Sequence, residues 1–181
     1  MTVIIEFNNG MDSKIEKVKI NYRGNKITAR NLIVSSVFHI NINEAWHEVQ
    51  KSALLEFICK GKVKFKPITI KFPTYWKEGL SVKTKMLLYG FIPFGGIHTI
   101  TFSKIDSKKF TIVTKENDAI VKLWNHKIFI EKIDENRIRY TDKIELYAGI
   151  LTSFVSYWAK SFYEHRQKRW QLFVSNVNEG V

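Results

Sequence analysis

The sequence contains one cysteine and three prolines, and it has no long hydrophobic run. The lone Cys59 cannot form an internal disulfide, so the reducing cytoplasm is the expected compartment. No stretch of about 18 apolar residues occurs, so no transmembrane helix is predicted. The opening residues, MTVIIEFNNG, lack a basic lead and a long apolar segment, so no signal peptide is expected.

Arginine is also scarce, although the formal net charge is +12. The basic residues comprise 23 lysines and 6 arginines. Arginine is the usual residue for recognising phosphate and bases, whereas the lysines here are spread along alternating positions such as Lys62, Lys64 and Lys66. This pattern indicates a solvated surface. Neither nucleic-acid binding nor stable insertion into a membrane is predicted.

What is present fits a single globular domain. The chain has 181 residues, of which 45% are hydrophobic and 25% charged. Regular patterning begins at residue 29, so residues 29–181 are predicted to form the domain. Residues 1–28 hold two short apolar stretches and a turn at Arg23-Gly24-Asn25, and they are predicted to be an N-terminal extension packed on it.

Alternation of apolar and polar residues dominates the middle of the chain and is typical of β-strands. A strand is predicted over residues 32–40, then one or two short helices over residues 42–61. About six antiparallel strands follow, with Gly95-Gly96 as a break between two of them. After Gly149 the period becomes helical over a long segment without glycine or proline. The predicted fold class is α+β, a curved antiparallel sheet of six to seven strands around a long C-terminal helix.

One predicted hairpin, residues 122–149, carries polar groups on an apolar face. If its turn is centred near residue 135, Asp142 lies diagonally across from His126 and within its reach. Both are predicted to point inward, with His98 from another strand as a further contact. Such a pair either satisfies its own polar groups or supplies the polar contacts of an apolar ligand pocket. A catalytic acid–base role is a third interpretation, although no nucleophile is evident beside the pair.

The residues of this hairpin and of the last helix resemble a family pattern. The pattern reads W-x-H, then T-x-D-x-(I/V)-x-x-Y, then a helix ending in H-R-Q-x-R-W-x-x-L. It is carried here by Trp124, His126, Thr141, Asp142, Ile144, Tyr147, Arg166, Arg169 and Trp170. Over residues 29–173 the chain resembles the START-like, helix-grip superfamily, in particular its SRPBCC branch of polyketide cyclase/dehydrase-like ligand-binding proteins. It departs from close cousins at Ile128, where they carry a second histidine.

The resemblance implies a cavity between the sheet and the long helix that holds a small hydrophobic molecule, such as a lipid, a sterol-like or a polyketide-like compound. A cavity of roughly 300–1,000 Å³ is expected. The predicted ligand contacts are His98, Trp124, His126, Tyr140, Asp142, Phe154 and Trp158.

Two other functions stay open at this stage. The first is a cyclase, dehydratase or hydrolase with His126 and Asp142 as candidate catalytic residues. The second is an interaction module that uses the basic C-terminal helix. No metal or other cofactor is predicted, because the five histidines show no paired ligand spacing. The oligomeric state does not follow from the sequence.

Overall fold

The structure is a computed structural model, and it describes residues 10–68 and 71–178. Its strands are β1 (Asp12–Tyr22), β2 (Asn25–Phe38), β3 (Val63–Pro67), β4 (Ser81–Leu88), β5 (Ile92–Asp106), β6 (Thr111–Asn117), β7 (Leu123–Asp134) and β8 (Arg137–Tyr147). The helices are α1 (Ile42–Val49), α2 (Ser52–Cys59) and α3 (Thr152–Asn178), with a 3₁₀ turn at Gly149–Leu151 leading into α3. The strands form one antiparallel sheet in the order β1-β2-β8-β7-β6-β5-β4-β3.

The predicted α+β helix-grip architecture is confirmed, and the described residues form eight strands, one more than the upper end of the prediction. β1 pairs with β2 through a turn at Arg23 and Gly24, which both have positive φ, of 52° and 82°. This geometry suits the right-handed twist of a two-residue hairpin. β2 runs without a break through the predicted boundary between residues 28 and 29. The apolar stretch at residues 3–7 lies outside the described residues.

A pair of short helices follows β2, as predicted. The first begins after Asn41, whose side-chain oxygen accepts a hydrogen bond of 2.9 Å from the Asn43 amide. The second packs against α3, where the rings of Phe57 and Phe173 lie 5.8 Å apart. Helices α2 and α3 therefore stand together over the same face of the sheet.

Helix α3 extends along the concave face of the sheet with a buried stripe of Val155, Ala159, Phe162, Tyr163, Arg166, Gln167, Trp170 and Val174. Phe154, which was predicted to contact the ligand, lies outside this stripe: it is 71% exposed, and Ile150 before it is fully exposed. Each residue turns about 100° around a helix, so a spacing of four drifts by about 40° at every step. Phe154 therefore lies about 80° from Phe162 around the axis, beyond the buried face.

Gly95 and Gly96 were predicted to separate two strands, but they lie inside β5. The pairing with β4 moves from Lys85–Ile97 to Met86–Phe94, so the two glycines form a bulge that has no partner on β4. Their φ angles are 69° and 73°, a region that glycine adopts most readily. Among the described residues, no helix is both long enough and apolar enough to span a membrane.

Candidate functional site

A cavity lies between the concave face of the sheet, α2 and α3. Its apolar lining includes Ile58, Met86, Ile100, Ile112, Ile128, Val155, Trp158 and Phe162. The volume within which the centre of a water molecule can lie is about 80 Å³. The total volume that no atom occupies, which includes a part open to bulk solvent, is about 920 Å³. The gap is thus not packed solid. The space open to water is smaller than the predicted range of roughly 300–1,000 Å³.

The polar side of the cavity begins with His98 on β5. Its Nε2 lies 3.0 Å from Oε2 of Glu116, and its Nδ1 lies 3.1 Å from Oδ2 of Asp118. Ionised carboxylates only accept hydrogen bonds, so both ring nitrogens donate and the imidazole is positively charged. Burial disfavours this charge, but the two hydrogen bonds and the carboxylate charges raise the pKa of His98 to about 9. The predicted contact of His98 with Asp142 is replaced by these two carboxylates.

Glu116, on β6, lies between the two histidines. The Thr114 hydroxyl donates a hydrogen bond of 2.6 Å to Oε1 of Glu116, and the same oxygen lies 3.9 Å from Nδ1 of His126. Burial acts to raise the pKa of the Glu116 carboxyl, but the hydrogen bond and charge of His98 outweigh it and hold that pKa below its ordinary value. Glu116 therefore stays ionised and links the polar groups of β5 and β7.

The His126–Asp142 contact predicted from the hairpin is confirmed. Ile128 pairs with Asp142 across β7 and β8, and Nε2 of His126 donates a hydrogen bond of 2.7 Å to Oδ1 of Asp142. The other carboxylate oxygen accepts from Nε2 of Gln167 at 3.0 Å. Burial acts to raise the pKa of Asp142, but the nearby charge of Arg166 and the bond from His126 keep it below its ordinary value.

Aromatic side chains close the remaining walls. The indole nitrogen of Trp124 donates a hydrogen bond of 3.2 Å to the Tyr163 hydroxyl. Trp158 stacks on Phe162 with 5.3 Å between ring centroids and on Phe94 with 6.3 Å. The contact between Phe94 and Trp158 joins β5 to α3 directly, so these rings lie where the sheet and the helix meet.

Five of the seven predicted ligand contacts line the cavity, and two do not. His98, Trp124, His126, Tyr140 and Trp158 line the cavity. Asp142 is fully buried behind His126 and holds its ring without lining the cavity. The expected role of Phe154 in the wall is wrong, since its side chain is on the outer face of α3, and the neighbouring Val155 lines the cavity instead.

Sequence reasoning missed several polar residues of the site: Thr114, Glu116, Asp118, Tyr163, Arg166 and Gln167. Two periodic signals could have found some of them. The alternation of Ile112 and Thr114 along β6 continues to Glu116, and Arg166 lies four residues after Phe162 on α3. Charged side chains are rarely found buried, so a charge at a periodic position is a weak signal when the sequence is read alone.

The basic end of α3 is largely internal. Arg166 is 5% exposed and lines the cavity, and its guanidinium lies over the ring of Tyr163 at 4.7 Å. Arg169 donates a hydrogen bond of 2.7 Å to the Phe57 carbonyl and covers the Phe57 ring. Of the basic side chains in the segment HRQKRW, Lys168 is the exposed one. The side chains of both arginines are thus directed towards other residues of the domain, and neither belongs to an exposed basic surface.

Cys59 lines the cavity from α2 and is buried. Burial raises the pKa of its thiol to about 12, so it remains protonated and unreactive near neutral pH. Within residues 10–68 and 71–178, no group of three or more His, Cys, Asp and Glu side chains has an arrangement that could hold a metal ion.

Comparison with solved structures finds the same architecture in distant proteins. A START superfamily protein from Mycobacterium smegmatis matches with a TM-score of 0.63 and 10% identity, covering 81% of this chain and 98% of that one. CalU16 from Micromonospora echinospora has a TM-score of 0.56 and 8% identity over 91% of this chain and 87% of its own. Ginseng major latex-like protein 151 from Panax ginseng has a TM-score of 0.57 and 12% identity, covering 79% and 95% of the two chains.

Sequence comparison alone does not find these relationships. No protein-family model matches the chain, and no curated protein matches it. At identities near 10% the structural likeness shows the fold and nothing finer. The sheet, the long helix and the matching structures show that the chain has the START-like helix-grip fold.

Proposed function

We propose that the chain binds a small, predominantly apolar molecule in the cavity between sheet and α3. The single observation that carries this proposal is the lining: aliphatic and aromatic side chains surround the space, and a few convergent polar groups border it. Such a combination is typical of ligand sites. Lipid, sterol-like and polyketide-like compounds are the classes that the fold resemblance suggests, and the narrow enclosed space favours compact molecules or a widening of the gap on binding.

Ethylbenzene is a suitable first probe, because it is apolar, small and has no hydrogen-bonding group. Titration into protein with labelled isoleucine methyl groups is expected to shift the signals of Ile100, Ile112 and Ile128, which line the cavity. The variant Val155→Phe should abolish these shifts, because it fills the cavity from α3. The control Tyr157→Phe changes an exposed position on the same helix and should bind normally.

Failure of ethylbenzene to shift these methyl signals, in a folded protein, would contradict the proposal. Equal binding by Val155→Phe would place the ligand elsewhere. Native mass spectrometry of protein purified from its own host tests the proposal independently, because a ligand held in the cavity is expected to add a discrete mass.

An acid–base enzyme is the second candidate, and one contact favours it. His126 lines the cavity, its Nε2 is oriented by Asp142, and its Nδ1 has no hydrogen bond within the described residues, with Glu116 the neighbouring carboxylate at 3.9 Å. An imidazole oriented in this way can move a proton. Exchange of the α-protons of a small ketone in deuterated water measures such transfer. The exchange should exceed the rate in buffer and disappear in His126→Asn; a rate equal to that of buffer would exclude this candidate for the ketone used.

A further inference from the structure

Arg166 brings a positive charge to the cavity without a hydrogen-bond partner. The residue is 5% exposed and lines the cavity, and its Nε is fully buried and unpaired. In the part of the chain that the structure describes, none of its nitrogens forms a hydrogen bond or an ion pair. A guanidinium has five N–H donors, and buried charged groups in proteins are normally satisfied. The unused donors therefore indicate a group that is not part of the chain.

The neighbours of Arg166 stabilise its charge but leave its donors free. The rings of Tyr163 and Phe162 lie 4.7 Å and 5.7 Å from the guanidinium carbon, an arrangement that stabilises a cation through the ring faces. Asp142 interacts with Arg166 through charge, while the hydrogen bonds that its oxygens accept come from His126 and Gln167. The N–H groups at the edge of the guanidinium remain available.

We propose that Arg166 anchors the ligand by donating a hydrogen bond to a carbonyl oxygen of a neutral, otherwise apolar molecule. This inference rests on the proposed binding function and specifies the class of ligand. The carbonyl lies at Arg166, and the apolar body extends among the aliphatic lining towards Trp158. Ketones, aldehydes and esters with a hydrophobic body have this chemistry. Hydrogen bonds from a charged donor are stronger than those between neutral groups.

A neutral carbonyl fits the charges of the site better than a carboxylate does. The polar groups around the cavity include three carboxylates, on Glu116, Asp118 and Asp142. The positive charges of His98 and Arg166 already face these groups. A fourth carboxylate would lose its hydration and enter beside three like charges, which is unfavourable in a site of low dielectric. A carbonyl satisfies the free donor without adding charge.

A matched pair of ligands tests the assignment in the full chain. Acetophenone and ethylbenzene have similar size and differ in the carbonyl oxygen. In the native protein, acetophenone is expected to bind at least as tightly as ethylbenzene, because Arg166 pairs with its carbonyl oxygen. Without this hydrogen bond, burial of the carbonyl would make acetophenone the weaker ligand. In Arg166→Met, acetophenone should bind roughly tenfold to a hundredfold more weakly, the range for a hydrogen bond to a charged group, and ethylbenzene should bind as before. Arg169→Met is the control on the same helix, because Arg169 does not line the cavity.

The outcomes separate the two proposals. Two outcomes would overturn the role of Arg166 and leave the binding function standing. In the first, the native protein binds acetophenone more weakly than ethylbenzene. In the second, Arg166→Met weakens the binding of both ligands by the same factor. Binding of neither ligand would overturn both proposals. Tighter binding of benzoate than of acetophenone would replace the carbonyl with a carboxylate and overturn the inference in its present form.

A spectroscopic measurement on the native protein does not depend on the variant folding. The Nε–H signal of Arg166 in a proton–nitrogen spectrum reports directly on the atom that is unpaired in the structure. Acetophenone is expected to move this signal downfield, and ethylbenzene is expected to leave it close to its original position. The same displacement with both ligands would mean that the cavity changes shape without forming the hydrogen bond, which contradicts the proposal.

Discussion

The imidazole of His98 is bound on both sides, and its Nε2 lies 3.0 Å from Oε2 of Glu116. Asp118 accepts the hydrogen bond from the other ring nitrogen. The ring is therefore held as an imidazolium within the sheet, and its charge is part of what stabilises the fold around the cavity.

Stability should consequently fall as the pH rises above neutrality. Burial lowers the pKa of His98, but the hydrogen bonds to Asp118 and Glu116 and the charges of these carboxylates outweigh burial and raise that pKa from 6.5 to about 9 in the folded protein. A raised pKa contributes stability that is complete below about pH 6.5 and is lost as the pH rises through about 9, and the full contribution is about 3 kcal/mol. Urea unfolding between pH 6 and 10 measures this loss as a decrease in the free energy of unfolding.

The variant His98→Gln should be less stable at neutral pH and should lack this part of the pH dependence. His47→Gln is the matched control, since His47 is exposed on α1, and it should retain the slope. A slope that persists unchanged in His98→Gln would show that another group carries it.

The bulge in β5 makes two adjacent glycines unequal. A Cβ added to Gly95 would lie 2.5 Å from Cγ of Asp118, whereas one added to Gly96 would meet nothing within 4 Å. Asp118 cannot easily move, because its other oxygen accepts hydrogen bonds from the amides of Ile120 and Val121 at 2.8 Å and 2.7 Å. Substitution of Gly95 is therefore expected to separate Asp118 from His98.

Both Gly95→Ala and Gly96→Ala place a side chain at positive φ, which costs about 1–2 kcal/mol each. Gly95→Ala should cost roughly 1–3 kcal/mol more, the penalty for leaving a buried polar group unsatisfied. The difference between the two variants in chemical denaturation isolates the contact between Gly95 and Asp118, and the His98 ring should titrate at a lower pH in Gly95→Ala. Equal stabilities would mean that Asp118 finds another position at no cost.

Two phenylalanines of α3 should respond in opposite ways to truncation. Phe162 is 5% exposed, lines the cavity and stacks on Trp158, whereas Phe154 is 71% exposed. Phe162→Ala is expected to lower the free energy of unfolding by about 3–5 kcal/mol, and Phe154→Ala to change it by less than about 0.5 kcal/mol. Ethylbenzene binding should change only in Phe162→Ala. A large loss of stability in Phe154→Ala would contradict the orientation of α3.

The hairpin β7–β8 could be predicted from the sequence down to its register. Its turn residues and the alternation on either side place Ile128 opposite Asp142, and this places Asp142 beside His126. These relationships are local to one hairpin, and the alternation of buried residues fixes the pairing beyond the turn, since the register shifts by one residue between Lys132 and Asp134. The alternation of strands and helices along residues 29–173 and the long last helix were predictable for a similar reason, because periodicity reports which faces are buried.

Contacts between elements that are far apart in the chain depended on tertiary structure. The partners of His98 come from β6 and the residue after it, across a bulge that alternation does not reveal. The position of Arg166 depends on how α3 is rotated about its axis. The observed rotation places Val155 in the cavity wall and leaves the preceding residue, Phe154, exposed.

The sequence by itself therefore determined the succession of strands and helices and the His126–Asp142 pair. Only the tertiary structure decided which charges lie inside and how much space they leave. The physical reason is that a buried charge is tolerated only where partners from other elements surround it, and no local pattern specifies those partners.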